Sequence, residues 1–203
     1  MGDRPKVLMV VTTDTKATEA RFIRRCLEDS GLQVYHLDPS VRDMAEAGAE
    51  ITPDRIAEAV GKTMPEIRSL NHEAKCLEIM TEGSIRSAQA LHQQVGLSGI
   101  IGAGGSLGTD LATAVMRSFP IGLPKIMVST MASGMTRPFV GTKDIMMVPS
   151  ICDVAGLNAV TRQVFGNSCR ALAGIQILEC KSPTDNDVVD RLSSIPSLVP
   201  HGT

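Results

Sequence analysis

The chain has 203 residues and a net charge of −2 at pH 7, from 20 basic and 22 acidic side chains. Its 43% of hydrophobic residues is ordinary for a globular protein and excludes wholesale disorder. The charge is nearly balanced and the chain holds one Tyr, four Phe and no Trp, so we expect no direct nucleic-acid partner and no membrane partner.

The cysteine and histidine patterns point away from disulfides and metal sites. The five cysteines form no C-x-x-C pair, and an odd number cannot all pair within one chain. No cysteine, histidine or carboxylate lies near a histidine at the spacing of a zinc site, so we expect no structural zinc. The first apolar run is too short for a signal peptide, and these features together predict a cytoplasmic protein with reduced thiols.

Short apolar segments alternate with helical patterns along the chain. Residues 7–11 form a continuous branched apolar run, of the kind that a parallel sheet buries on both faces. Similar strand candidates are residues 34–37, 98–103, 125–128 and 145–148. Helices are predicted over residues 16–30, 71–95, 109–118 and 156–180, the last with a break at Gly166 and Asn167, and a short helix opens at Thr52 and Pro53. This alternation predicts a three-layer αβα Rossmann-like sandwich with a mostly parallel sheet.

The composition changes near the end of the chain. Several Pro and Ser residues follow residue 175, and no aromatic residue remains. We therefore expect one nucleotide-binding domain over residues 1–175 and a loosely ordered tail over residues 176–203.

Three loops rich in glycine and hydroxyl residues follow strand candidates, at residues 12–16, 104–109 and 129–134. In an open parallel sheet, ligands bind beyond the carboxyl ends of the strands. Glycine allows the backbone to approach an anion, and the N–H groups of a helix start attract it. These loops predict a site for a phosphate-bearing small molecule, built from Asp14, Thr15, Lys16, Gly104, Gly105, Ser106, Gly108, Thr109, Ser129, Thr130, Ser133 and Gly134.

Other interpretations of the same residues stay open. The glycines at 104–108 match neither a Walker A loop nor the full dinucleotide fingerprint, and they could serve only to form a tight turn. They also match G-x-S-x-G, which predicts a serine hydrolase using Ser106, although the only downstream histidine is His201. Asp144 and Asp153 could hold Mg²⁺ beside a phosphate through water, or could only cap turns. A non-catalytic protein-interaction module is the third alternative.

Five motifs in a fixed order carry a resemblance to a known family. Residues 12–16, 104–109, 120–125, 129–134 and 153–158 resemble the N-terminal domain of the family related to the tomato mosaic virus resistance protein, whose bacterial members are grouped as an uncharacterised protein family. The resemblance covers roughly residues 5 to 175. It departs at Val11 and Thr12, where the family usually has Gly-Thr.

The resemblance implies a Rossmann-like domain that binds ATP at the three loops described above, and we expect Mg²⁺ to accompany the nucleotide. It leaves open whether ATP is hydrolysed or a phosphoryl group is transferred. Family members are about twice as long, so it also implies an N-terminal half without the family's second α/β domain. The expected partners are then a nucleotide and either a C-terminal partner domain or further copies of the chain in a homo-oligomer.

Overall fold

Five parallel strands form the sheet in the computed structural model, which describes residues 4–42, 48–151 and 156–177. Their order across the sheet is β2-β1-β3-β4-β5, so the chain reverses its direction of winding between β2 and β3. The strands are β1 Lys6–Val10, β2 Gln33–Leu37, β3 Gly99–Gly104, β4 Lys125–Ser129 and β5 Ile145–Pro149. The predicted parallel sheet is confirmed.

Helices cover both faces of this sheet, which explains the unbroken apolar runs of its strands. In β1, Leu8 and Val10 belong to one hydrophobic core, and Val7 and Met9 belong to the other. The helices are α1 Thr13–Asp29, α2 Pro53–Glu58, α3 Met64–Ser69, α4 Glu73–Val95, α5 Ser106–Arg117, α6 Arg137–Val140 and α7 Ala159–Ile177. Helices α1 and α7 line one core and α2 to α5 line the other, so the three-layer αβα sandwich is confirmed.

Helix α7 differs from the prediction because it runs through Gly166 without a break. Phe165, Cys169 and Leu172 recur at helical spacing and bury against the core that α1 shares. This packing outweighs the weak helix propensity of Gly166 and Asn167. The helix extends to Ile177, and residues 178–203, which make up most of the predicted tail, lie outside the described residues.

Two short helices, α3 and α6, were not predicted, and two helices, α1 and α5, begin three residues earlier than expected. Helix α3 opens with a capping box between Thr63 and Glu66, a T-x-x-E signal that is visible in the sequence. Helix α5 starts at Ser106 instead of residue 109, because its first turn incorporates part of the glycine-rich loop. Several residues that were predicted to form a phosphate-binding loop therefore form the first turn of a helix.

Helices α2 and α4 approach each other closely at Gly83. A Cβ at this position would lie 2.2 Å from the carbonyl oxygen of Ile56, so no larger residue fits without moving α2. The next residue, Ser84, is fully buried, and within the described ranges its hydroxyl has no hydrogen-bond partner. One position of α4 is thus tightly constrained, while its neighbour carries an uncompensated polar group.

Substitution by alanine should change the free energy of unfolding in opposite directions at Ser84 and Gly83. We expect Ser84→Ala to raise the free energy of unfolding by about 1 kcal/mol, because it removes a buried hydroxyl that makes no bond. Gly83→Ala should lower it by about 1–3 kcal/mol, because the methyl group overpacks the α2 contact. Urea unfolding of both variants measures the two effects, and a loss of stability in Ser84→Ala would contradict the first.

Candidate functional site

A cavity of about 450 Å³ lies at the carboxyl edge of the sheet. Its walls come from the loops after β1, β2 and β3 and from the start of α4. This volume is within the range of small-molecule sites, and the position beyond the carboxyl ends of parallel strands is where such folds bind ligands. The loops that meet here follow β1 and β3, which are neighbours in the sheet and whose connections to the next strand run in opposite directions along it.

Helix α1 begins at this edge, but side chains of the same chain already accept hydrogen bonds from the N–H groups of its first turn. Asp38 is fully buried, and its Oδ1 accepts a hydrogen bond of 3.0 Å from the Thr13 N–H. The Ser40 hydroxyl oxygen accepts from the N–H groups of Thr13 and Asp14, at 2.9 and 3.1 Å. Two donors of the first turn of α1 are therefore satisfied from within the chain.

The amino end of α5 is open. Gly105 is its N-cap residue, and among the described residues no side chain caps the helix. The Thr109 N–H donates to the Gly105 carbonyl over 2.8 Å, which leaves the N–H groups of Ser106, Leu107 and Gly108 ahead of the first intrahelical bond. These three residues and Gly105 line the cavity. Free N–H groups and the helix dipole make this end attractive to an anion.

Close packing explains the glycines around this helix start. A Cβ on Gly104 would lie 3.0 Å from the Gly108 Cα, so a side chain here would displace the first turn of α5 from the end of β3. A Cβ on Gly102 would lie 2.8 Å from the Met127 sulfur and 2.9 Å from the Ala112 Cβ. The glycines thus seat α5 against the sheet with its amino end at the cavity.

Lys16 brings a positive charge to the same cavity, at a break in α1. Its backbone is not helical, with φ −137° and ψ 34°, although helix surrounds it. Asp14 and Thr15 also line the cavity, and Asp14 Oδ2 accepts from the Arg42 N–H over 3.3 Å. The loop after β1 therefore supplies the charged groups predicted from its sequence.

The third predicted loop supports the second one without lining the cavity. Ser129 is fully buried, and its hydroxyl forms a 2.6 Å hydrogen bond with the buried Thr109 hydroxyl. The Met131 N–H donates to the Ser129 Oγ over 2.9 Å, and the Thr109 hydroxyl donates to the Gly105 carbonyl, so the Ser129 hydroxyl gives its proton to Thr109 and has no donor left for an anion. Of the predicted binding residues, those outside the cavity lining are Gly104, Thr109, Ser129, Thr130, Ser133 and Gly134.

The opposite wall of the cavity was not predicted. Helix α4 begins here, and Asn71, His72 and Glu73 line the cavity together with an apolar surface. The residues of that surface are Pro39, Val41, Cys76, Leu77, Leu107 and Leu111. The sequence signals a helix start near residue 71, but only the packing of α4 on α5 brings it opposite the glycine-rich loop.

The end of β1 is held by a buried histidine. His36 Nε2 lies 2.8 Å from the Val11 carbonyl oxygen, and burial lowers the pKa of His36 and favours its neutral form. The Glu50 carboxylate accepts from the His36 N–H and pairs with Arg24 at 2.6 Å. Burial tends to raise the pKa of Glu50, but these hydrogen bonds outweigh it and the pKa is lowered.

Among the described residues, no histidine is placed to act as the base that the serine-hydrolase alternative needs. Ser106 is exposed in the cavity, and its hydroxyl has no hydrogen-bond partner in the part of the chain that the structure describes. His72 lines the same cavity, but its Nδ1 accepts from the Lys75 N–H over 3.4 Å. Nε2 must then carry the proton, so it cannot accept one from Ser106. His201 lies outside the described residues.

The structure places Asp144 at the other edge of the sheet, before β5, and not beside the phosphate loops. Its Oδ1 accepts from the fully buried Lys125 ammonium over 2.8 Å, and its Oδ2 accepts from the Gly122 N–H over 2.7 Å. Lys125 also donates to the carbonyls of Pro120 and Leu123. The second predicted metal residue, Asp153, lies outside the described residues. Across the described ranges, no three His, Cys, Asp or Glu side chains meet to hold a metal ion.

Within residues 4–42, 48–151 and 156–177, every helix is too short or too polar to cross a bilayer.

Comparisons with known proteins confirm the family resemblance. A family model, described as the N-terminal domain of an uncharacterised protein family (UPF0261), matches residues 5–180. A UPF0261 protein of Clostridium tetani is 36% identical over 170 residues, which are 84% of this chain and 42% of the relative. The ToMV resistance protein Tm-1(GCR237) of Solanum lycopersicum is 30% identical over 209 residues, 93% of this chain and 27% of that protein. The chain spans less than half the length of these relatives.

The pairing of Asp144 with Lys125 should stabilise the fold in a pH-dependent way. The hydrogen bond from Lys125 lowers the pKa of Asp144, although partial burial opposes this. A carboxyl whose pKa is lower in the folded protein stabilises the fold above its unfolded pKa, and this contribution is lost as the pH falls through the folded pKa. We expect Asp144→Asn to cost about 1 kcal/mol at pH 7, a modest value because the Asp144 side chain is 39% exposed.

Urea unfolding from pH 7 down to about pH 3 tests this dependence. The difference between wild type and Asp144→Asn should shrink below about pH 4. The matched control is Asp110→Asn, because Asp110 is exposed on α5 and its side chain makes no hydrogen bond in the described part of the chain. A difference that stays constant with pH would show that the ion pair does not contribute.

Proposed function

This chain belongs to the UPF0261 N-terminal domain family, and we propose that it binds ATP in the cavity at the carboxyl edge of its sheet. The observation that carries the proposal is the uncapped amino end of α5, which points free N–H groups into a cavity of ligand size. The family resemblance of the loops implies ATP as the nucleotide. The proposal requires binding alone, without turnover.

The phosphates would lie on the first turn of α5. Gly105, Ser106 and Gly108 line this side of the cavity, and the N–H groups of Ser106 and Gly108 would donate to phosphate oxygens. Lys16 lines the same cavity and would add one positive charge. Ser129 and Thr130 would act behind the site, because their loop braces the start of α5.

Mg²⁺ would accompany the phosphates because the side chains of the cavity do not neutralise their negative charge. Among the described residues of the cavity lining, Lys16 and Arg42 are the cationic side chains, and Asp14 and Glu73 are the carboxylates. The four charges cancel, so the side chains alone would not neutralise a triphosphate. A divalent cation carried by the nucleotide would supply the missing positive charge. Asp14 is the residue of the predicted phosphate site that could face such an ion.

The rest of the nucleotide would occupy the apolar side of the cavity. Val41, Leu77 and Leu111 offer aliphatic surface, and none of the cavity's lining residues is Phe, Tyr or Trp. A base held between aliphatic side chains gains from the burial of its faces. The site therefore joins a polar end suited to phosphate with an apolar wall suited to a base.

Two substitutions of Ser106 separate the backbone donor from the hydroxyl. Ser106→Pro removes the N–H at the first helical position, where proline is tolerated because that N–H has no intrahelical partner. The preceding Gly105 is extended, with φ −79° and ψ −157°, as proline requires. We expect calorimetry with ATP and Mg²⁺ to show about ten-fold weaker binding, the loss of one hydrogen bond to a charged group.

Ser106→Ala is the matched control for that variant. It removes the hydroxyl and keeps the N–H, so ATP affinity should stay within about two-fold of wild type, a change of less than 0.5 kcal/mol. Equal losses in both variants would show that the hydroxyl, not the helix end, holds the ligand. Wild-type protein that gains no thermal stability from millimolar ATP and Mg²⁺, or gains as much from inorganic phosphate, would refute the nucleotide proposal.

Lys16 provides an independent test of charge at the site. Lys16→Met keeps the aliphatic stem and removes the ammonium, so ATP should bind about five- to ten-fold more weakly at low salt, and the loss should diminish as salt screens the charge. Lys62→Met serves as the control, since Lys62 is exposed and lies outside the cavity lining. The same loss in both variants would mean that only the overall charge matters.

A further inference from the structure

The start of α4 presents a histidine of defined tautomer to the cavity. His72 is the N-cap residue, and its Nδ1 accepts from the Lys75 N–H over 3.4 Å. A ring nitrogen that accepts a hydrogen bond carries no proton, so the proton of His72 lies on Nε2. Across the described residues, Nε2 has no hydrogen-bond partner. The capping hydrogen bond at Nδ1 therefore leaves the Nε2–H group of His72 available to donate to a ligand in the cavity.

The neighbours of His72 complete a small set of polar groups. Glu73 lines the cavity beside it and offers a carboxylate, which only accepts hydrogen bonds when ionised. Asn71 also lines the cavity and has a positive φ of 46°, a conformation that asparagine tolerates better than most residues. This tight turn joins α3 to α4 and exposes a donor and an acceptor at consecutive positions.

A donor beside an acceptor matches the edge of a nucleobase. Bases carry ring nitrogens or carbonyls that accept hydrogen bonds, next to N–H groups that donate them. A phosphate chain offers only acceptors, and a carboxylate such as Glu73 would repel it. The turn at residues 71–73 thus suits the base better than the phosphates, for which α5 and Lys16 lie in the same cavity.

Apolar side chains line the same cavity as the turn at residues 71–73, so the faces of the base would pack against them while its edge meets the turn. Leu77 lies one helical turn after Glu73 on α4, and Leu111 belongs to α5, which packs against α4. Both side chains line the cavity. A flat ring between them would have its edge directed towards the residues that begin α4.

We propose that the Asn71–Glu73 turn recognises the base of the bound nucleotide, with His72 Nε2 donating to a ring acceptor and Glu73 accepting from an amino or imino N–H. This assignment rests on the proposed function, because it needs the phosphates at α5. It makes the base a determinant of affinity and His72 a specificity residue that touches the ligand.

The experiment compares two ligands by calorimetry, ATP and tripolyphosphate, each with Mg²⁺. Wild type should bind ATP at least about ten-fold more tightly, because tripolyphosphate lacks a base. The variant is His72→Asn, since asparagine is an excellent N-cap and its Oδ1 replaces Nδ1, whereas its Nδ2 donor lies on a shorter side chain and does not reach the position of Nε2. It should keep its melting temperature, lose about five- to ten-fold in ATP affinity, and bind tripolyphosphate as wild type does.

His92→Asn is the matched control on the same helix. His92 lies in the last turn of α4, where its Nδ1 accepts from the Leu97 N–H over 3.0 Å and its ring meets Phe119 edge-on. It is not part of the cavity lining. We expect this variant to lose thermal stability and to bind ATP with wild-type affinity.

The outcomes separate this inference from the proposed function. Unchanged ATP affinity in His72→Asn overturns the assignment of His72, and equal losses for ATP and tripolyphosphate place His72 on the phosphates instead. Wild-type protein that binds both ligands equally contradicts recognition of the base but leaves the phosphate site intact. Wild-type protein that binds neither ligand refutes the proposed function itself.

Discussion

The site depends on how the fold treats two helix ends that open at the same edge of the sheet. Each end presents N–H groups that need an acceptor. At α1, the buried Asp38 carboxylate and the Ser40 hydroxyl provide it from within the chain. At α5 no side chain in the described part of the chain does so, and the cavity lies against that end. The amino end of α1 thus connects the segments that follow β1 and β2, and the amino end of α5 remains available to a ligand.

The open end of α5 is useful only because its position is rigidly set. Gly104 lets the first turn rest on the end of β3, and Gly102 lets the body of the helix approach Met127. The hydrogen bond between Thr109 and Ser129 then joins α5 to the end of β4. Substituting these residues would move the donors of the first turn, so they support binding without touching a ligand.

The sequence was informative where a single segment determines the outcome, and less so where distant segments meet. Residues 7–11 predicted a strand buried on both faces because the branched apolar run has few other solutions. The loops after β1 and β3 were also predicted, since a ligand site at strand ends follows from a parallel sheet. The wall at the start of α4 was not, because it depends on how α4 packs against α5. Asp144 precedes the fifth strand and so lies at the amino edge of the sheet, a signal that the prediction of Mg²⁺ beside a phosphate did not use.

The polar groups at the two edges of the sheet have different roles, because those at one edge are satisfied within the chain and those at the other are not. At the amino edge, the buried Lys125 ammonium has three acceptors, in Pro120, Leu123 and Asp144, and has no donor left over. At the carboxyl edge, the first turn of α5 and the Nε2 of His72 keep donors that no described residue satisfies. A folded chain can leave donors free beside a cavity because water solvates them there. A ligand with matching acceptors displaces that water and binds donors that are already oriented, so it loses little entropy in arranging them.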